Sequence, residues 1–272
     1  MISVGSTPDQ SSQNESSMTT PDATTRFSDR VENYVQYRPI YPGAVIEILR
    51  AATCLTPSAV VADVGSGTGI SADLFLRNGN TVYGVEPNTE MRAAAELRFR
   101  GSGRFYSVAA RAEATTLNVA SVDYVVAGQA CHWFDPVAAR QEFARILRPG
   151  GWVVLMWNSR RLESTPFLRE YETLLQTYGT DYLAVRCENI DSESLTKFFA
   201  PQPVTKRTAY NEQQFDLDGL KGRLLSSSYA PNPGQPNFVP MIAELKRLFD
   251  VYAKNGRVLM EYDTEVYYGH VS

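Results

Sequence analysis

Val60-Val61-Ala62-Asp63-Val64-Gly65-Ser66-Gly67-Thr68-Gly69 decides how this chain folds. A short apolar, β-branched run reads as a buried strand. It ends in a carboxylate, and then comes a glycine turn that opens a helix. Glycine takes positive φ without steric cost and lets the backbone approach a ligand closely. The helix start adds free N–H donors beside that turn. A dinucleotide site would carry G-x-G-x-x-G around a pyrophosphate. Here the third glycine comes one residue early, and Ile70 stands where it should be. Asp63 also suits a cationic ammonium group better than a diphosphate.

Working outward, the next strand, Thr81 to Val85, ends at Glu86 and Pro87. Neighbouring parallel strands bring their carboxyl ends to one crevice, so Glu86 can reach a pair of vicinal hydroxyls there. Ala112-Glu113 follows a third strand at Arg104 to Val108, and further strands are expected at Val122 to Ala127 and Trp152 to Trp157. Between them lie helical patterns at Gly69 to Asn78, Asn88 to Phe99, Pro136 to Leu147 and Pro166 to Tyr178. Such alternation predicts an α/β chain with a Rossmann-like, mostly parallel seven-stranded sheet and helices on both faces. Arg148-Pro149-Gly150-Gly151 reads as a stop after a helix. Later come a short helix at Asp191 to Phe199 and strands at Val204 to Glu212 and Val258 to Tyr268. Residues 213–256 between those strands predict a helical insertion that serves as a lid over the site.

The 272 residues carry a net charge of −4, with 43% hydrophobic and 21% charged side chains. This acidic balance weighs against a nucleic-acid partner, which calls for a basic stripe. No apolar run reaches the roughly 18–20 residues of a membrane span. His132, His270, Cys54, Cys131 and Cys187 fall at no metal-ligand spacing, so no metal site is expected. Scattered cysteines point to reduced thiols in the cytoplasm. Residues 1–25, rich in Ser and Thr and without Lys or Arg, read as a disordered tail, with 26–272 as the folded domain.

Taken together, these motifs resemble the class I S-adenosylmethionine-dependent methyltransferases, in particular the small-molecule group that includes the trans-aconitate methyltransferases. The resemblance rests on Asp63 to Gly69, Glu86, Ala112-Glu113, Ser121 to Val126, Gln129-Ala-Cys-His-Trp-Phe-Asp135 and Leu147 to Gly151. It implies S-adenosyl-L-methionine as cofactor and a small-molecule acceptor, including a carboxylate among the choices. Gly65, Ser66 and Gly67 would then line the methionine part. Asp63 would meet the amino group directly or through water, and Glu86 the ribose. Pro87 and Met91 would pack on the adenine, Ala112 and Glu113 would address its amino edge, and Gln129 would close the site near the sulfonium. Tyr34 and Arg38, in a cap segment over residues 26–44, would meet the cofactor's carboxylate or else pack on the core.

A sulfonium is an activated leaving group, so the protein's task is alignment in a dry pocket. Trp133 suits a cationic neighbour. His132 is placed either to take a proton from a hydroxyl or amine, or to hold the backbone and shape the pocket. Arg160-Arg161 reads as a solvated pair or as a partner for an acidic substrate. Gly222 to Tyr229 is small and polar, fit for acceptor hydroxyls or for packing. Two other readings stay open: a dinucleotide-dependent oxidoreductase, and a methyltransferase-like protein that binds cofactor without chemistry. A monomer or a homodimer is compatible with the chain.

Overall fold

The computed structural model describes residues 35–185 and 192–271. The expected tail at 1–25, Tyr34 and Cys187 lie outside the described residues. Seven strands form one sheet in the order β3-β2-β1-β4-β5-β7-β6. They are β1 Val60–Val64, β2 Thr81–Val85, β3 Phe105–Val108, β4 Val122–Gly128, β5 Leu147–Arg160, β6 Val204–Phe215 and β7 Val258–Gly269. The first five run parallel, and β7 pairs antiparallel with both β5 and β6. β1 therefore stands between β2 and β4, where chain order reverses and a crevice opens at the carboxyl ends.

Helices cover both faces. On one, α1 (Ala44–Thr53) and α2 (Ile70–Asn78) bury Val45, Leu49 and Phe75 against Val61, Val126 and Met156. On the other, α4 (Pro136–Ile146) and α7 (Ser192–Phe199) bury Phe143 and Phe199 against Val125, Leu155 and Trp157. α3 (Thr89–Arg98) starts where the Asn88 side chain accepts the Met91 N–H at 2.8 Å. α4 starts at Asp135, whose carboxylate accepts the Val137 and Ala138 N–H groups, with Pro136 in the first turn.

A third apolar cluster lies beyond the sheet's antiparallel edge. It joins α5 (Pro166–Tyr178) to α8 (Leu217–Leu225) and α9 (Phe238–Tyr252), through Leu168, Tyr171, Leu220 and Leu245 around Met260 and Tyr262. A one-turn helix, α6 (Tyr182–Val185), follows α5.

Three boundaries differ from the sequence reading. α1 was not expected: it fills residues 45–53, between the segment read as a cap and the first strand, to which no element was assigned. The helix stops before Arg148, at Ile146, as read, but the strand follows without a loop. β5 begins at Leu147, pairs with Val122 there, and passes a register irregularity, with Gly150 at φ +77°. β5 also runs on to Arg160, which takes Asn158 and Arg160 into the sheet instead of a loop.

Candidate functional site

The loop after β1 uses its three glycines differently. Gly65, Gly67 and Gly69 all have positive φ, at +68°, +55° and +81°. A Cβ on Gly65 would stand 2.5 Å from Ala130 Cβ, and one on Gly69 would stand 2.4 Å from the Phe99 ring. A Cβ on Gly67 would meet nothing within 4 Å. The outer glycines are thus demanded by packing. The middle one presents bare backbone to open space, which is the geometry a ligand needs to come close.

Glu86, buried at the end of β2, ties this loop down. Its carboxylate accepts the Gly67 N–H at 2.9 Å and the Asn88 N–H at 2.8 Å. Burial pushes its pKa up, against the pull of those two hydrogen bonds and of Arg92. Asp63 lies deeper, with no exposed surface, and both its oxygens accept from the Ser71 hydroxyl, at 2.8 and 2.7 Å. Burial raises it to about 7, although the Ser71 and Ala72 hydrogen bonds favour the ionised form. Asp63 is thus a strut from β1 to α2 beneath the loop. Ser66 is buried beside it, and the Thr68 hydroxyl is buried with no hydrogen-bond partner among the described residues.

Met91 and Ala112 are buried and Pro87, which follows Glu86, is half-buried. Glu113 is occupied differently from the expectation. Its Oε1 accepts the Asp135 N–H at 2.9 Å, bracing the loop between β4 and α4.

At the end of β4, Gln129 takes φ +57°. A non-glycine residue in this conformation is held there by its surroundings. Its N–H donates to the Met156 carbonyl at 2.9 Å, and its Nε2 to the Asn158 carbonyl at 3.2 Å. A 3-10 turn over Cys131–Trp133 follows, with the exposed His132 ring 4.8 Å from Trp133. Burial pushes the Cys131 thiol up to about 12, so it is no nucleophile near neutral pH. His270 lies at the other end of β5, 3.8 Å from the Trp152 ring and 2.9 Å from the Gly151 carbonyl. Of the chain's two histidines, only His132 stands at the crevice.

The described part of the cap segment, residues 35–44, is pinned to the antiparallel edge. Asn158 Nδ2 donates to the Pro39 and Ile40 carbonyls, and Asn158 Oδ1 accepts from Asn211 and Thr264. Arg38 Nη2 donates to the Ser226 carbonyl at 2.9 Å, and Arg38 also lines a cleft of about 610 Å³ with Ile70, Gln213 and Asp216. α8 comes so near Tyr37 that a Cβ on Gly222 would fall 2.0 Å from its ring.

Neither arginine of the Arg160-Arg161 pair is solvated as a free charge. The Arg160 side chain is 9% exposed and bonds Glu172, and Arg161 bonds Asp263 at 2.7 Å. The sequence reading also missed Arg223, buried on α8 among tyrosines. Its one available signal was an arginine flanked by Leu and Gly in a helix that must face inward.

Residues 62–155 match the family described as a methyltransferase domain. An uncharacterised methyltransferase of Mycobacterium tuberculosis is 36% identical over 139 residues, 51% of this chain and 54% of the relative. A Dictyostelium discoideum protein named as a methyltransferase is 26% identical over 242 residues, 84% of this chain and 89% of its own. A structure of a type II methyltransferase candidate from Anaeromyxobacter dehalogenans superposes with a TM-score of 0.61 at 22% identity, over 86% of this chain and 98% of that one. Residues 62–155 are thus similar to a methyltransferase domain, and the fold is that of the superposed structure. The chain spans about half the length of the mycobacterial relatives, and the matched family segment runs from β1 into β5, ending before the antiparallel edge. Among the described residues no helix is long and apolar enough to cross a membrane.

Proposed function

We propose that this chain transfers a methyl group from S-adenosylmethionine to a small-molecule acceptor. The observation that carries this reading is the buried Glu86 carboxylate beside the open face of Gly67, at the carboxyl ends of two adjacent parallel strands. A carboxylate there can accept from both ribose hydroxyls, while Gly67 leaves room for the methionine part against the backbone. Asp63 lies below the loop, where an ammonium group entering above it would favour the ionised carboxylate. Pro87, Met91 and Ala112 offer the adenine an apolar wall, with Glu113 at its edge. Arg38, in the cap, would meet the cofactor's carboxylate. Asp63 and Glu86 both speak against a diphosphate, and so against the oxidoreductase reading.

The cofactor, when bound, supplies a methyl carbon on a positively charged sulfur. That carbon would be the group an acceptor's lone pair attacks, with the sulfur leaving as a neutral thioether. The protein aligns the two and excludes water. Gln129 and Trp133 border the place where they meet. His132 takes the proton from a hydroxyl or amine acceptor. The substrate is a metabolite and not a nucleic acid, and the reaction proceeds in the cytoplasm.

Calorimetric titration with S-adenosylmethionine and, separately, NADH is the direct test. Binding of the first and not of the second is expected, and the reverse result overturns the reading. Formation of S-adenosylhomocysteine over a metabolite panel tests turnover. His132→Ala should lower kcat about a hundredfold or more with cofactor affinity kept. An unchanged pH–rate profile in that variant would remove the base role.

A further inference from the structure

Beyond the crevice, two guanidinium groups are buried in one cluster that has donors to spare. Arg160, the last residue of β5, donates through Nη2 to Glu172 at 2.5 Å and to the Tyr182 hydroxyl at 3.1 Å, and its plane lies 5.1 Å over the Tyr171 ring. Its Nη1 is buried with no hydrogen-bond partner. Arg223, on α8, is 7% exposed, and its Nε and Nη1 donate to the Tyr262 hydroxyl at 3.3 Å and to Ser227 Oγ at 3.0 Å. Among the described residues no carboxylate pairs with Arg223. Tyr171 and Tyr229 lie within electrostatic reach of both arginines. Neither hydroxyl has a hydrogen-bond partner among the described residues.

The cluster's acceptors are already spent. Glu172 Oε2 receives Arg160 and the Tyr182 hydroxyl, and its Oε1 receives Gln176 Nε2 at 2.8 Å. Tyr262 passes its own proton to Gln213 Oε1 at 3.0 Å. Burial pushes the Tyr171 and Tyr182 phenols upward, so both remain donors. Two cations against one carboxylate, with an orphaned N–H and two idle hydroxyls, lack one compact anion. A fold tolerates a buried, unpaired charge at considerable cost, and that cost is relieved when an anion enters.

The cluster also faces the right way. Asn158 and Arg160 alternate onto one face of β5, and Tyr262 pairs with Arg160 across the ladder. The Asn158 carbonyl receives the Gln129 amide at the end of β4, and Arg160 lies two residues further, about 7 Å along the strand. Tyr229 is half-buried, unlike Arg223 and Tyr171, which are buried.

We propose that the methyl acceptor is a carboxylate-bearing small molecule, anchored through that carboxylate by Arg223, Arg160 Nη1 and the Tyr171 and Tyr229 hydroxyls. The inference rests on the methyl-transfer reading above and gives it a substrate class. Planar forked guanidinium groups match a carboxylate's two oxygens. The 7 Å offset makes this group an anchor, with the reacting atom elsewhere in the molecule.

The test is a thermal-shift series on the full chain, with and without S-adenosylhomocysteine. Formate, acetate and benzoate are compared with formamide, acetamide and benzamide at constant ionic strength, and phenylphosphonate is a separate arm. At least one carboxylate should raise Tm in a saturable way that its amide does not, more strongly than phenylphosphonate. Arg223→Met should weaken that response about tenfold or more, and Tyr229→Phe should weaken it less. S-adenosylhomocysteine affinity should be unchanged in both. Tyr229→Phe, at a half-buried position, carries the test should Arg223→Met not fold. Equal shifts from acids and amides, a stronger response to phenylphosphonate, or a carboxylate response that survives both variants would overturn the proposal. Failure to bind S-adenosylhomocysteine while the carboxylate response persists would instead overturn the cofactor reading.

Discussion

Around Gly67 the crevice is acidic, with Asp63 and Glu86 buried and both pushed toward their protonated forms. Around Arg223, at the other end of the same sheet, it is cationic, with two guanidinium groups sharing one carboxylate. The acidic end is built from residues close together in sequence on two parallel strands. The cationic end collects β5, α5, α8 and β7, whose members lie up to about a hundred positions apart. The pairing suits a reaction between a cation-bearing cofactor and an anion-bearing acceptor, each drawn to its own end. The contrast can be broken from either side.

Gly65→Ala is the largest expected disruption. Positive φ costs about 1–2 kcal/mol for a residue with a Cβ, and overpacking against Ala130 costs about 1–3 kcal/mol more. Urea unfolding should therefore show a loss of about 3 kcal/mol, with cofactor binding lost as well. Gly67→Ala is its control. The added Cβ meets nothing in the protein, so stability should fall by only about 1–2 kcal/mol while cofactor binding is still lost. If Gly67→Ala binds normally, the open face above Gly67 is not where the ligand lies.

Glu86→Gln comes next. It keeps one carbonyl oxygen for the loop but removes the charge and replaces an acceptor by a donor. Cofactor affinity should fall about ten- to a hundredfold by calorimetry. The anion response at the Arg223 end should not move, since the two ends share no side chain. A parallel loss at both ends would show that they are one coupled unit.

Gly222→Ala probes the joint between the ends. Its new Cβ would collide with Tyr37, and the clash is offset by about 1 kcal/mol of helix propensity. A net loss of about 1–2 kcal/mol is expected in urea unfolding. The cap segment should also become more susceptible to proteolysis, while a protected cap would show that Tyr37 simply moves aside.

The same contrast explains what could be read from sequence. The acidic end is a local device: a buried strand, a carboxylate, glycines at fixed offsets, and a second carboxylate one strand later. Each part is forced by backbone conformation or by the strand period, so residue type and spacing suffice. The sequence singles out Asp63 as a candidate but not its bond with Ser71, which depends on how α2 docks. Glu113 likewise reads as a free strand end until the Asp135 N–H fills it. Arg160 and Arg223 were illegible because charge reads as surface until tertiary packing buries it. Nothing local in Gly222 to Tyr229 announces that α8 turns its arginine inward.

The smallest expected effect is also the most specific. Asp63 holds its proton up to about pH 7 in the fold and at its ordinary value of 3.8 when unfolded. The folded chain thus binds a proton the unfolded chain has released, and stability should fall as pH rises from about 4 to 7. An ammonium group entering above the loop favours the ionised carboxylate, so cofactor binding near pH 6.5 should expel a fraction of a proton. Calorimetry in two buffers of different ionisation enthalpy measures that fraction. Asp63→Asn should abolish both the release and the falling stability between pH 4 and 7. Release that persists in Asp63→Asn would move the titrating group to Glu86, and the acidic end would then act through the carboxylate that holds Gly67 and not through the one beneath the loop.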